Sequence, residues 1–262
     1  MKTYTAGDIL EKAAQHPETE LLQDTFFGDD FDNFTHHQVH PYDLQEFLAP
    51  PEEEELATLR ALLDFGCCTI LDIGAGSGRV SRWLKDQGAQ ILACETDPAC
   101  IRLCQQNGVL EYHAGEIVTL SQTFDACILM GGGIPLRKPT PDPLSDVHNF
   151  LSLIREKIRN GGYLVVDVCN YTHPLFKSIN DYKVSTIKFS AQALYSEPEH
   201  YVYPSQRQVT AIMHSLGFEE VFHLVKTYSA GDPEVYQHYS IWRKVDDAQR
   251  ERLSDQHALC WN

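Results

Sequence analysis

The stretch Asp72-Ile73-Gly74-Ala75-Gly76-Ser77-Gly78 is a glycine-rich turn that separates an apolar run from a helical pattern. Glycines let a backbone approach a ligand closely, and the helix that follows offers unpaired amide groups at its N-terminus. The third glycine comes one position too early for the Gly-x-Gly-x-x-Gly turn of dinucleotide-binding oxidoreductases, because Arg79 stands where that glycine belongs. The turn also lacks the Gly-Lys-Ser/Thr ending of nucleoside triphosphate sites. It therefore predicts a loop for a different ligand.

Short apolar runs alternate with helical patterns around this turn. Such alternation is typical of strand-helix-strand units, which build a mainly parallel sheet. The helix boundaries carry the expected signals, since Asp97 precedes Pro98 and Ser205 forms a capping box with Gln208. The predicted strands cover residues 69–73, 91–94, 110–113, 124–130, 163–168, 218–227 and 235–245. The sequence thus predicts an α/β fold with a mostly parallel seven-stranded sheet that ends in a C-terminal antiparallel hairpin.

Two long segments are left outside this sheet, and both are predicted to cap the ligand crevice. Residues 1–55 form the expected N-terminal helical cap, and residues 170–204 are an insertion between the fifth strand and the last helix. The main domain spans residues 56–245, and residues 246–262 form a polar tail. The insertion is rich in Tyr and Phe, which suit either a ligand pocket or a small core of the cap itself.

The net charge of the sequence disfavours some classes of binding partner. The chain has 262 residues, with 37 Asp and Glu against 21 Lys and Arg, which gives a net charge of −16. Such a chain repels phosphate backbones and anionic membrane surfaces. No apolar run approaches the ~20 residues of a membrane helix, and the first residues lack the hydrophobic segment of a secretory signal. We expect a cytoplasmic protein that binds neither nucleic acid nor membranes.

The eight cysteines and twelve histidines do not predict a metal site. No Cys-x-x-Cys pair occurs, and several cysteines lie within predicted buried strands, as reduced core residues do in cytosolic proteins. The one dense histidine group, His36, His37 and His40, lacks a suitably spaced partner.

Glu95 ends the second predicted strand, about 20 residues after the first glycine of the turn, where a carboxylate can bind both ribose hydroxyls of a nucleoside. With this residue, the chain resembles the class I S-adenosylmethionine-dependent methyltransferases over roughly residues 56–245. The matching motifs, in order along the chain, are Asp72 to Gly78, Glu95, Gly115-Glu116, Phe124-Asp125 leading to Met130-Gly131, and Asn160-Gly161-Gly162-Tyr163.

The resemblance implies a three-layer Rossmann-like methyltransferase fold, S-adenosylmethionine as cofactor and S-adenosylhomocysteine as product. It implies that the glycine turn packs on the methionine portion, that Glu95 holds the ribose, and that Glu116 and Ile117 flank the adenine. The family more often has Asp at the position of Glu116. The cofactor-binding residues that follow from it are Asp72, Gly74, Ala75, Gly76, Gly78, Glu95, Thr96, Glu116, Ile117, Met130 and Gly131.

The expected reaction is in-line transfer of a methyl group to an O, N or C nucleophile of a small molecule. The Asn-Pro-Pro-Tyr motif of adenine and glutamine methyltransferases is absent, since Met130-Gly131-Gly132-Gly133 follows the fourth strand. Aminocarboxypropyl transfer, cyclisation of the cofactor and a regulatory role without turnover stay open, because one cofactor loop suits them all. The oligomeric state stays open too.

A neutral nucleophile needs a base to take its proton. The preferred candidates are His37 in the N-terminal cap and His173 just after the fifth strand. Other candidates in the same two segments are His36, His40, Tyr42, Asp43 and Tyr171.

Overall fold

A computed structural model of the chain describes residues 4–16, 20–28, 31–32, 34–136, 140–171, 182–191, 194–228 and 235–246. The candidate base His173 and the tail from residue 247 lie outside these ranges. No helix of the described ranges is long and apolar enough to cross a membrane.

The described ranges contain helices α1–α7 and strands β1–β13. In chain order they are α1 (Ala6–Gln15), β1 (Leu21–Gly28), β2 (Phe34–Pro41), α2 (Leu44–Leu48), α3 (Glu53–Asp64), β3 (Thr69–Ile73), α4 (Arg79–Asp86), β4 (Gln90–Glu95), α5 (Pro98–Gln106), β5 (Tyr112–Ala114), β6 (Phe124–Leu129), β7 (Ile134–Leu136), α6 (Pro143–Glu156), β8 (Ile158–Tyr171), β9 (Tyr182–Ala191), β10 (Leu194–Tyr195), β11 (Glu199–Pro204), α7 (Gln206–Ser215), β12 (Phe218–Tyr228) and β13 (Val235–Lys244), with a 3₁₀ turn at Ile117–Thr119.

The main sheet of the described chain, here called the central sheet, has seven strands in the order β12-β13-β8-β6-β3-β4-β5. The five strands from β8 to β5 run parallel, whereas β13 is antiparallel to β8 and β12 is antiparallel to β13. The predicted Rossmann-like fold with its C-terminal hairpin is therefore confirmed. The carboxyl ends of β3, β4 and β6 meet at one edge of the sheet, where α/β folds bind their ligands.

Helices cover both faces of the central sheet and form two main apolar cores. Leu59 of α3 and Leu84 of α4 pack on one face with Ile70 of β3. Leu151 of α6 and Met213 of α7 pack on the other face. The predicted helix starts are confirmed, because Asp97 caps α5 ahead of Pro98, and Ser205 forms the capping box of α7 with Gln208.

A second sheet, here called the cap sheet, has the strand order β2-β1-β9-β11-β7, and β10 pairs with β9. The N-terminal cap therefore contains two strands as well as helices, which corrects the prediction that it is helical. The strand β1 is stabilised by β9, about 160 residues later in the chain, through pairs such as Thr25 with Ile187. A pairing partner so distant leaves no local signal in the sequence.

The cap sheet has two distinct faces, because directly paired residues of neighbouring strands point to the same side. One side, here called the Tyr201 face, carries Thr25, Ser185, Ile187, Glu199, Tyr201 and Tyr203. The other side, here called the His37 face, carries Phe26, His37, Thr186 and His200. The Tyr201 face continues to Phe189, which packs against Ile9 and Leu10 of α1.

Helix α1 connects the cap sheet to the central sheet. The Gly7 amide of α1 donates to the Asp97 carboxylate, which caps α5, at 3.0 Å. The backbone also joins α1 to the cap, since the Glu197 amide donates to the Tyr4 carbonyl at 2.7 Å. These bonds tie the cap sheet, through α1, to the start of α5, the helix that follows β4.

Candidate active site

The glycine turn is tightly folded at the carboxyl end of β3. Gly74, Gly76 and Gly78 have φ values of 68°, 56° and 76°, a left-handed conformation that strongly favours glycine. The Gly74 amide donates to the Cys94 carbonyl of β4 at 2.9 Å. A Cβ atom at Gly78 would lie only 3.0 Å from the Cys104 Sγ of α5. The turn therefore needs these glycines both for its conformation and for close packing.

Glu95 links the end of β4 to this turn. One oxygen of its carboxylate accepts the amide of Gly76 at 3.1 Å, and the other accepts the amides of Thr96 at 2.6 Å and Asp97 at 3.1 Å. These bonds fix the orientation of the carboxylate at the mouth of the crevice. The lone pair that remains on the oxygen bonded to Gly76 can accept a ribose hydroxyl.

Asp72 lies beneath the turn, and its side chain is only 4% exposed. Its carboxylate accepts a hydrogen bond of 2.6 Å from the Ser81 hydroxyl of α4. Burial raises the Asp72 pKa to about 6, although the Ser81 bond and the charge of Arg79 oppose this rise. The structure thus gives Asp72 a bond to the helix that follows the turn.

Arg79 and Glu55 form an ion pair below the crevice. The two terminal guanidinium nitrogens of Arg79 donate to the two carboxylate oxygens of Glu55 at 2.7 and 2.5 Å. Glu55 is 4% exposed and also accepts the Glu52 amide at the start of α3. The pair joins α3 to α4, the helix whose N-terminus follows the glycine turn.

Asp167 of β8 holds a second glycine turn, residues 131–133, which follows β6. Its two carboxylate oxygens accept the amides of Gly131 at 2.8 Å and Gly132 at 2.9 Å, and Gln237 of β13 donates to it at 2.5 Å. Burial raises the Asp167 pKa, while these hydrogen bonds lower it. Sequence reasoning missed this residue. The available signal was a charged residue inside the apolar run of the fifth predicted strand.

The two glycine turns border open space. Apart from its chain neighbours, a Cβ atom added at Gly74 or at Gly131 would meet no atom of the described residues within 4 Å, unlike one at Gly76, which would lie 3.1 Å from the Phe47 ring of α2. The strands β3 and β6 that precede the two turns are neighbours in the central sheet. The described residues of the two turns therefore form a cradle between adjacent strand ends, open on the side of Gly74 and Gly131.

The remaining predicted cofactor residues lie near this cradle or along its rim. Gly115 donates its amide to the Glu95 carbonyl at 3.0 Å, which brings the exposed Glu116 next to the end of β4. Ile117, 7% exposed, begins the 3₁₀ turn, and the half-buried Met130 packs against the apolar core of α3 and α4. The structure thus brings the predicted residues of β3, β4, β5 and β6 together at one edge.

His37 lies elsewhere. Its Nε2 contacts the Asp24 carboxylate, its ring stacks on Phe26 with centroids 4.3 Å apart, and its side chain is 52% exposed. Phe26 pairs with Thr186, so His37 belongs to the cap face opposite Tyr201. The assignment of His37 as a base stays a prediction. Among the described residues, His37 contacts neither glycine turn.

The family comparison agrees with this geometry. The family model described as a methyltransferase domain matches residues 71–166, from β3 into β8. The chain carries a class I methyltransferase domain. The domain match identifies the chain as an enzyme. Among curated proteins, no sequence matches it.

Solved methyltransferase structures share the fold of this chain. An S-adenosylmethionine-dependent methyltransferase from Bacteroides fragilis, in complex with S-adenosyl-L-homocysteine, has a TM-score of 0.66 and 15% identity, with 94% of this chain and 98% of that chain covered. The CcbJ methyltransferase from Streptomyces caelestis has a TM-score of 0.51 and 14% identity, with 76% and 92% covered. At such low identity these likenesses show the fold alone.

Proposed function

We propose that the chain transfers the methyl group of S-adenosylmethionine to an O, N or C nucleophile of a small molecule. The observation that carries the proposal is the cradle between Gly74 and Gly131, with the fixed carboxylate of Glu95 at its rim. The similar Bacteroides fragilis enzyme, whose structure holds S-adenosyl-L-homocysteine, supports the choice of cofactor.

The residues of the cradle suit this cofactor. The turn from Gly74 to Gly78 would hold its methionine portion, Glu95 with Thr96 its ribose, and Glu116 with Ile117 its adenine. S-adenosylmethionine carries a sulfonium and an ammonium group, and the carboxylates of Asp72 and Asp167 lie beneath the two turns. Their negative charge favours a cation in this crevice.

The bound cofactor supplies an activated methyl group whose leaving group is a neutral thioether. The chain itself then has to align the acceptor with this methyl group and to exclude water. Phe47 serves this task, because its ring lies over Gly76 and its carbonyl accepts the Ser77 hydroxyl at 2.5 Å. The cap sheet covers the crevice from the side of Tyr203, whose ring packs on Gly133.

The acceptor is a small molecule in this proposal. The net charge of −16 disfavours nucleic acid, and the cap over the crevice restricts access by large partners. We place the protein in the cytoplasm on the composition of the sequence.

The test begins with binding. We expect calorimetry to detect S-adenosylmethionine and S-adenosylhomocysteine, and Glu95→Gln to weaken both by about 10-fold or more, since it removes a charged acceptor of the ribose hydroxyls. Glu111→Gln, at an exposed residue that precedes β5, is the matched control and should bind normally.

The second readout is the product. Release of S-adenosylhomocysteine in the presence of acceptors supports methyl transfer. Release of methylthioadenosine would overturn it in favour of aminocarboxypropyl transfer or cyclisation. Failure of the wild-type chain to bind either cofactor form would overturn the proposal altogether.

A further inference from the structure

Strand β11 of the cap sheet lies against the glycine turn that follows β6. Its Val202 pairs with Ile134 of β7, directly after the turn of residues 131–133. Its Tyr203 ring occupies the space beside Gly133, where a Cβ atom would lie 2.7 Å from the ring. The hydroxyl of Tyr203 bonds to Ser185 on the same cap face at 3.1 Å. This end of β11 is therefore anchored over the end of β6.

The other end of β11 lies toward the residues that follow β4, because the Glu197 amide, two residues before Glu199, donates to the Tyr4 carbonyl, and the Gly7 amide of α1 donates to the Asp97 carboxylate. Burial raises the Glu199 pKa, and the negative charges of Glu95 and Asp97 raise it further, so these carboxylates lie within electrostatic reach of one another. Burial and the charge of Glu199 raise the Tyr201 pKa well above its ordinary value, with a further contribution from Glu95. Glu199, Tyr201 and Tyr203 alternate along the strand and share the Tyr201 face. Tyr201 thus lies on this face between Tyr203, which packs on Gly133, and Glu199, which is coupled to Glu95 and Asp97.

The hydroxyl of Tyr201 donates a hydrogen bond of 2.9 Å to the Glu199 carboxylate. Both side chains are partly buried. A tyrosine that gives its proton to a carboxylate keeps lone pairs on its oxygen, which can accept a hydrogen bond from another X–H group. The Tyr201 oxygen therefore keeps acceptor capacity on the cap face whose Tyr203 ring packs on Gly133.

We propose that Tyr201 and Glu199 form a catalytic proton-accepting pair, and that the methyl acceptor consequently offers its nucleophile as an N–H or O–H group. The inference rests on the proposed methyl transfer. The pair acts on the methyl acceptor, whereas the cradle and Glu95 bind the cofactor.

The step balances in atoms and charge. The proton of the nucleophile passes to the Tyr201 oxygen while the Tyr201 proton passes to the Glu199 carboxylate. The electron pair of the broken X–H bond stays on the nucleophile, whose new bond joins the methyl carbon. The electron pair of the old carbon–sulfur bond leaves with the thioether. The positive charge of the donor and the negative charge of Glu199 are both lost, and Glu199 later releases its proton to water.

Several titratable groups face this pair from the neighbouring elements. Glu95, Asp97, Cys100 and Tyr203 interact with Glu199 or Tyr201, and Lys183 stands opposite Tyr203 on β9. The nearby carboxylates keep Glu199 basic, which suits a final proton acceptor.

The experiment compares Tyr201→Phe and Glu199→Gln with the wild-type chain. Tyr195→Phe and Glu197→Gln are the matched controls, because both residues belong to the same cap and are exposed. Calorimetry with S-adenosylhomocysteine first checks that each variant keeps its cofactor site. Turnover is then measured with methyl-labelled S-adenosylmethionine and a protein-free extract of cellular small molecules, and the labelled product is identified by mass spectrometry.

We expect all four variants to bind S-adenosylhomocysteine within about 2-fold of the wild type. Tyr201→Phe and Glu199→Gln should lower kcat by about 100-fold or more, the usual size of a general-base effect. The controls should keep full activity. In the wild type, kcat/KM should rise with pH as Glu199 ionises, and Glu199→Gln should lose this rise.

The inference is overturned if Tyr201→Phe and Glu199→Gln keep turnover within about 3-fold, or if the methyl group is found on carbon or sulfur. A wild-type chain that binds no cofactor, or releases no S-adenosylhomocysteine, instead counts against the proposed function. The two failures are therefore distinguishable.

Discussion

Asp167 of β8 accepts the backbone amide of Gly131 at 2.8 Å, although Gly131 lies in the turn after β6 and is 36 positions away. The same carboxylate accepts the neighbouring amide of Gly132 with its second oxygen. One buried side chain thus fixes the turn that borders the cradle on the side of β6.

Replacement of Asp167 should therefore reduce both stability and cofactor binding. In Asp167→Ala, the amides of Gly131 and Gly132 and the side-chain amide of Gln237 lose this acceptor; Gly132 and Gln237 are buried, and unsatisfied buried donors cost about 1–3 kcal/mol each. We expect the free energy of unfolding in urea to fall by about 3 kcal/mol or more. Asp86→Ala, at an exposed residue, should change it by less than about 1 kcal/mol. Equal effects of the two substitutions would contradict this role of Asp167.

The stability of the fold should depend on the ionisation of Asp72. Its pKa rises from 3.8 to about 6 in the folded chain because the carboxyl group is buried. The stability that its protonated form contributes is fully present below pH 3.8 and is lost as the pH rises through 6. Between these limits, wild type should lose about 3 kcal/mol relative to Asp72→Asn. Urea unfolding of both chains across this range measures the difference, and parallel pH profiles would rule it out.

The ion pair of Arg79 and Glu55 should be costly to break on one side. Arg79→Met leaves the carboxylate of Glu55, 4% exposed, without its guanidinium partner, and such losses cost about 3–5 kcal/mol. The exposed pair of Arg82 and Asp86 gives the control, because Arg82→Met should cost about 1 kcal/mol or less. Adding Glu55→Gln to Arg79→Met should recover part of the loss. A double variant as unstable as the sum of both single variants would refute this coupling.

Gly133 should be required for the contact between the cap sheet and the turn after β6. Gly133→Ala places a methyl group 2.7 Å from the ring of Tyr203, and overpacking of this kind costs about 1–3 kcal/mol. The same substitution should cost less in a Tyr203→Ala background, where the ring is gone. Thermal and urea unfolding of the wild type, the two single variants and the double variant gives the coupling energy. If Gly133→Ala costs as much stability in the Tyr203→Ala background as in the wild type, the ring is not the cause.

Much of the fold could be predicted because its signals are local. The apolar run of β3, the glycine turn after it and the Asp97-Pro98 cap of α5 each specify their own conformation within a few residues. The approximate positions of Glu95 and Gly131 followed from the order of the strands, since the carboxyl ends of parallel strands meet at one edge. The bonds of Asp167 to Gly131 and Gly132 did not follow, because nothing in the sequence links β8 to the turn after β6.

The sequence by itself determined the central sheet, the glycine turn and the candidate cofactor residues, all of which depend on contacts between near neighbours or on strand order. The tertiary structure alone decided which cap residues face the crevice. Side chains alternate along a strand, so a shift of one residue in the pairing of β1 with β9 would exchange the two cap faces. That register depends on contacts across about 160 residues, and it places His37 on the cap face opposite Tyr201.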